Sequence, residues 1–128
     1  MRYTTAHVIL TAESSTSPVI DNIKKSIELE AHLTARGYAF KRAIGRYRGT
    51  EETCYIVMAP TRRHIKELKD LATTYNQPHV IEINQGHSWL LDTEERGEEY
   101  LGAIFQATGK EECYTQVGSK LFTFRREA

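Results

Sequence analysis

Two adjacent carboxylates, Glu51 and Glu52, close the run Gly45-Arg46-Tyr47-Arg48-Gly49-Thr50-Glu51-Glu52. Two acids in one place divide into an acting group and an electrostatic neighbour, because each opposes ionisation of the other. The run is polar, bracketed by glycines and set between two strand-like segments, so it reads as a loop, where binding and catalytic groups concentrate. A hairpin tip needs glycines, but it does not need a tyrosine and paired acids between arginines. A solvated turn is the competing reading.

Polar residues next to apolar strands are the other candidates. Glu82 lies between Ile81 and Ile83 and projects from the face opposite both. It either meets solvent or serves as a pocket carboxylate for an amine or sulfonium. Gln77 stands at the end of a helical pattern, where it could cap carbonyls or reach into a cleft. Metal chemistry has little support: His7, His32, His64, His79 and His87 are scattered, without the close spacing of zinc ligands. Cys54 sits among apolar neighbours, where a thiolate is costly, and the glycines match no phosphate-loop spacing. The residues call for no cofactor.

The elements around these groups follow from periodicity. His7–Ala12 is a short strand, and Ser14–Pro18 breaks it. Ile20, Ile23, Ile27 and Ala31 recur at three- and four-residue steps, which predicts an amphipathic helix ending near Gly37. Strands at Tyr38–Ile44 and Thr53–Met58 flank the acidic run. A second helix follows Pro60-Thr61, with Ile65, Leu68, Leu71 or Ala72, and Tyr75 as its stripe, and Asn76-Gln77-Pro78 ends it. His79–Ile83 is a fourth strand, turning at Gln85-Gly86 into Ser88–Leu91. The order β-α-β-β-α-β predicts a single α+β, ferredoxin-like domain over residues 1–128: an antiparallel sheet with two helices on one face. Thr93–Glu99 is acidic and irregular. Tyr100–Phe105 and Lys120–Phe124 read as extra C-terminal strands whose aromatic faces need a cover, and an oligomer would supply one.

Composition narrows the partners. The 128 residues carry 17 basic and 17 acidic side chains, so net charge is zero. That argues against a nucleic-acid partner, which usually leaves a basic excess. No apolar run reaches membrane length, and two cysteines without a secretory leader suit a reducing cytoplasm.

Taken in order, these landmarks resemble the phage-encoded S-adenosylmethionine lyases, formerly called hydrolases. The resemblance rests on the early strand Ala6–Ala12, on Gly45-Arg46-Tyr47, and on Glu51-Glu52 leading into a strand. It continues through Leu71-Ala72, Gln77 before Val80-Ile81, Leu101-Gly102 to Phe105, and Phe122-Thr123-Phe124. It implies a subunit like the trimeric nitrogen-signalling proteins, with sites between subunits. The implied substrate is S-adenosylmethionine, split into 5′-methylthioadenosine and L-homoserine lactone. The family's tyrosine falls on Tyr47 and its glutamate on Glu52 as catalytic groups. Glu51, Gly45, Gln77 and Glu82 are then the substrate-binding candidates, Glu82 standing for a later acid of the family. The stretch between Tyr47 and Glu52 is shorter than in relatives. A phage origin implies the host cytoplasm and a counter-defence role. The landmarks also resemble an uncharacterised bacterial and phage domain family. A non-enzymatic inhibitor of a host factor and a nucleotide-sensing trimer therefore stay as alternatives.

Overall fold

The computed structural model describes residues 5–47, 49–94 and 97–126. The chain runs β1 (Ala6–Leu10), α1 (Val19–Ala35), β2 (Phe40–Tyr47), β3 (Thr50–Ala59), α2 (Arg62–Thr74) and β4 (His79–Asn84). It continues through β5 (His87–Asp92), β6 (Glu98–Gln106), β7 (Cys113–Val117) and β8 (Lys120–Arg125). The strands form a closed barrel in the order β1-β3-β2-β7-β8-β6-β5-β4, with β4 returning to pair with β1.

This overturns the ferredoxin-like expectation. That fold is an open four-stranded sheet, whereas here β5 to β8 run from β4 round to β2 and leave no open edge. The physical reason lies in the tail. Its aromatic strands are covered by the chain itself: β8 pairs with β6 and β7, and β7 pairs with β2. Phe122 and Phe124 pack with Ile9, Ala43, Cys54, Ile56, Ile81 and Ile83 inside the barrel. The tail therefore gives no reason to expect an oligomer. β7 itself was not expected, because Cys-Tyr-Thr-Gln-Val lacks a clean apolar alternation.

The outer face of β1, β3, β4 and β5 carries a second core, formed with both helices. Val8, Leu10, Tyr55, Val57 and Val80 meet Leu29 and Leu33 of α1 and Ile65, Leu68, Leu71 and Ala72 of α2. Thr61 caps α2, its side chain accepting from the His64 N–H, and the predicted stripe of α2 is the one it buries. α1 behaves otherwise. It buries Ser26, Leu29 and Leu33, while Ile20, Ile23, Ile27 and Ala31, the stripe expected to face the core, are exposed. The helix was predicted correctly and its orientation was not. Tyr55 accounts for this orientation: its hydroxyl lies 3.1 Å from both the Ser26 carbonyl and the Glu30 carboxylate, drawing the Ser26–Glu30 side inward.

The run Gly45–Glu52 is not a loop. Gly45–Tyr47 and Thr50–Glu52 are paired strand, and Gly49, at φ +84°, makes the turn that needs a left-handed residue; Arg48 lies outside the described residues. Closure also depends on Gly102 (φ +123°). A Cβ there would lie 2.2 Å from the Arg125 backbone, and the buried Ser88 hydroxyl donates to the Gly102 carbonyl at 2.9 Å.

Candidate active site

The β2–β3 hairpin fixes which acids can act together. Gly45 pairs with Glu52 and Tyr47 with Thr50, so alternation puts Gly45, Tyr47 and Glu52 on one face, with Cys54 and the barrel lumen further along it. Arg46 pairs with Glu51, which places both on the opposite face. Adjacency in sequence thus separates the two acids in space. Glu52 is half-buried, Glu51 exposed and Tyr47 exposed at the end of β2.

The charge that acts on Glu52 belongs to a residue that the sequence did not single out, Glu13. β1 ends at Leu10, and the chain continues as Thr11-Ala12-Glu13 past the start of β3. The Thr11 hydroxyl donates to the Thr53 carbonyl at 2.7 Å and accepts from the Glu13 N–H at 3.1 Å. One Glu13 carboxylate oxygen accepts from the Thr53 N–H at 3.0 Å, and the other from the Ser26 hydroxyl of α1 at 2.8 Å. Asn22 holds the next residue, accepting from the Ser14 N–H at 3.0 Å and donating to its carbonyl at 2.9 Å. The Glu13 carboxylate is therefore fixed from a strand, a helix and its own loop.

Gln77 belongs to this frame. Its side-chain N–H donates to the Glu13 carbonyl at 2.8 Å, while its own carbonyl accepts from the Thr93 hydroxyl at 2.7 Å. It holds the Glu13 segment at the start of β4, with its amide turned to the backbone.

Electrostatics shows that Glu52 senses Glu13. Burial first, and the negative charge of Glu13 second, hold the Glu52 carboxyl above the usual carboxylate range. The Cys54 thiol, further along that face, is pushed up to about 12 by burial, then by Glu52 and Glu13. A thiol so raised is inert as a nucleophile at neutral pH. Gly45 adds room: a Cβ there would touch Cys54 Sγ at 3.5 Å, so its bare face lies against the lumen beside Glu52.

Glu82 is elsewhere. It is fully buried on the outer, helix-covered face, opposite Val8, and its carboxylate meets Arg62 at the start of α2 at 3.2 Å. The structure thus brings together Glu52, Tyr47, Gly45 and, through Glu13, Gln77, and leaves Glu51 and Glu82 apart. A signal for Glu13 was present in the sequence: an acid directly after a Thr-Ala strand end. A shallow cleft of about 300 Å³, lined by Thr73, Asn76, Pro78, Asp92, Thr93 and Glu94, contains none of these residues.

A closed barrel with Glu52 half-buried in the negative field of Glu13 is the candidate site. The profile of the S-adenosylmethionine lyase family matches residues 8–125. The chain belongs to that family, and its activity is that of an S-adenosylmethionine lyase. A search of the curated proteins finds no match. Among the described residues no helix is long and apolar enough to cross a membrane.

Proposed function

We propose that this enzyme cleaves S-adenosylmethionine to 5′-methylthioadenosine and L-homoserine lactone, using the pair Glu13–Glu52 to hold the substrate's positive charges. The observation that carries this reading is that Glu52, the expected catalytic acid, lies in the field of a second acid, Glu13, which Ser26 and Thr53 hold in place. The substrate offers two cations, a sulfonium and an α-ammonium, and so matches two carboxylates in charge and number.

In the proposed reaction the substrate supplies its own nucleophile. A methionyl carboxylate oxygen bonds to the γ-carbon as the γ-carbon–sulfur bond breaks. The bonding pair leaves with sulfur, giving a neutral thioether and a five-membered lactone. No proton need move. The protein's task is to fold the methionyl arm and keep it folded, and orientation of this kind is worth roughly 7–11 kcal/mol in the best intramolecular reactions.

Each residue then has a defined task. Glu13, fixed by Ser26 and Thr53, is suited to the α-ammonium, which keeps its charge throughout. Glu52 balances the sulfonium. Its raised proton affinity is the mark of an incompletely solvated carboxylate, and a cation arriving there restores the favourable charged form. Contact with the sulfonium must stay modest, because that charge disperses in the transition state. Tyr47, at the exposed end of the same face, orients the substrate carboxylate by hydrogen bonding. By its resemblance to the phage enzymes the protein works as a homotrimer with sites between subunits, in the host cytoplasm, removing a methyl donor that host defence requires.

The test is incubation with S-adenosylmethionine, followed by mass spectrometry of products, with Glu52→Gln as control. Methylthioadenosine with homoserine lactone, abolished in the variant, is the expected result. Homoserine formed directly, with solvent oxygen incorporated and no transient lactone, would replace internal attack by hydrolysis. Full activity in Glu52→Gln would remove Glu52 from the mechanism.

A further inference from the structure

α1 turns an isoleucine stripe away from its own protein. Val19, Ile20, Ile23 and Ile27 are 75%, 58%, 48% and 62% exposed, and Ala31 continues the row. A helix burying Leu29 and Leu33 on one side has no need of four large apolar residues on another. α2 has none, and its outer side is charged. Contiguous exposed apolar surface of this kind marks an interaction site.

We propose that this face docks antiparallel against the same face of a second copy of the chain. The steps 20, 23, 27 and 31 follow the three-four spacing of a helix–helix seam. Antiparallel pairing about a two-fold axis near residue 25 sets Ile23 against the partner's Ile27 and Ile20 against the partner's Ala31, so a large side chain meets a small one at both ends. Charge fits the same direction. Lys24 and Glu28 line one flank of the stripe, and Lys24 has no hydrogen bond or ion pair among the described residues; Glu28 accepts only a long 3.4 Å bond from the Tyr75 hydroxyl. An antiparallel two-fold brings equivalent flanks together running oppositely, so Lys24 reaches the partner's Glu28 twice. The face is therefore complementary to itself in shape and in charge, as an isologous contact requires.

A two-fold contact cannot generate a three-fold ring, so it would join two trimers, or two monomers, and is independent of the active-site reading. Sedimentation of the full chain, Lys24→Glu, and the exchanged pair Lys24→Glu with Glu28→Lys provides the test, with circular dichroism checking the fold. The expected result is an even-numbered assembly whose dissociation constant rises at least tenfold in Lys24→Glu and recovers in the exchanged pair. Mixing Ile23→Cys with Ile27→Cys protein should give a mixed disulfide faster than either variant alone, over the background of the unsubstituted chain. An odd-numbered or monomeric mass at every concentration, a mass indifferent to Lys24→Glu, or faster crosslinking within each single variant would overturn the proposal.

Discussion

Glu82 and Glu52 lie on opposite faces of the same barrel and solve opposite problems. Glu82 is fully buried, and α2 sets an arginine over it. Glu52 is half-buried, and the nearest charge known to act on it is another carboxylate. The first arrangement compensates the cost of burying an acid, as most buried acids require. The second leaves the field of a like charge unopposed at Glu52, a cost that the proposed function would put to use. A buried carboxylate in a strand thus says little about catalysis until its neighbour's sign is known.

Breaking each arrangement separately should sharpen the contrast. The largest expected effect is on Glu52→Gln, which keeps the shape and removes the charge: kcat/KM should fall about 100-fold, the range of a lost charged contact, without loss of folded protein. Next, Arg62→Met removes the Arg62–Glu82 ion pair. Unfolding in urea should show a loss of about 2 kcal/mol, less than for a fully enclosed pair because Arg62 is largely exposed, with turnover per folded molecule unchanged. Glu13→Gln should lower kcat/KM about tenfold, mainly through KM, if Glu13 holds the α-ammonium rather than the reacting centre.

The smallest effect is a pH trend. Glu52 binds its proton more tightly folded than unfolded, so its contribution favours folding at pH below the ordinary value of 4.5 and is lost as pH rises through the elevated folded value. Glu52→Gln should therefore melt higher than the unsubstituted protein at neutral pH, and this advantage should shrink towards pH 4. An advantage that grows on acidification would mean that Glu52 is stabilised by a partner rather than opposed by Glu13.

Local periodicity carried much of this architecture. The stripe of α2 and the Gln85-Gly86 turn (φ +50° and +81°) are where the pattern puts them, while β2 and β3 extend through the expected loop and take Glu52 into β3. What local pattern could not convey was the global arrangement. A strand records that one face is apolar, not whether its sheet ends or closes, and closure here depends on β7, whose sequence is nearly featureless. The orientation of α1 was hidden for a related reason. Its most regular apolar row is the exposed one, while the buried row includes Ser26, a polar residue whose place makes sense only with Glu13 beneath it. Tyr47 and Glu52 could be named as candidates from the chain itself. Glu13 could not be weighed without knowing that the end of β1 passes the start of β3.

The β2–β7 seam has a consequence in time. It joins Gly45 to Thr115 and Tyr47 to Cys113, partners so distant in the chain that their meeting carries a large loop-closure penalty and comes late in folding. The neighbouring β2–β3 pairing is local and can form early. The strand bearing Tyr47 therefore acquires its second neighbour among the last steps. Pairings made after the transition state govern how fast a structure comes apart rather than how fast it forms. Substitutions along this seam should hasten unfolding while leaving refolding nearly untouched, and amide exchange at the Tyr47 end of the barrel should report opening well before the helix-covered side lets go.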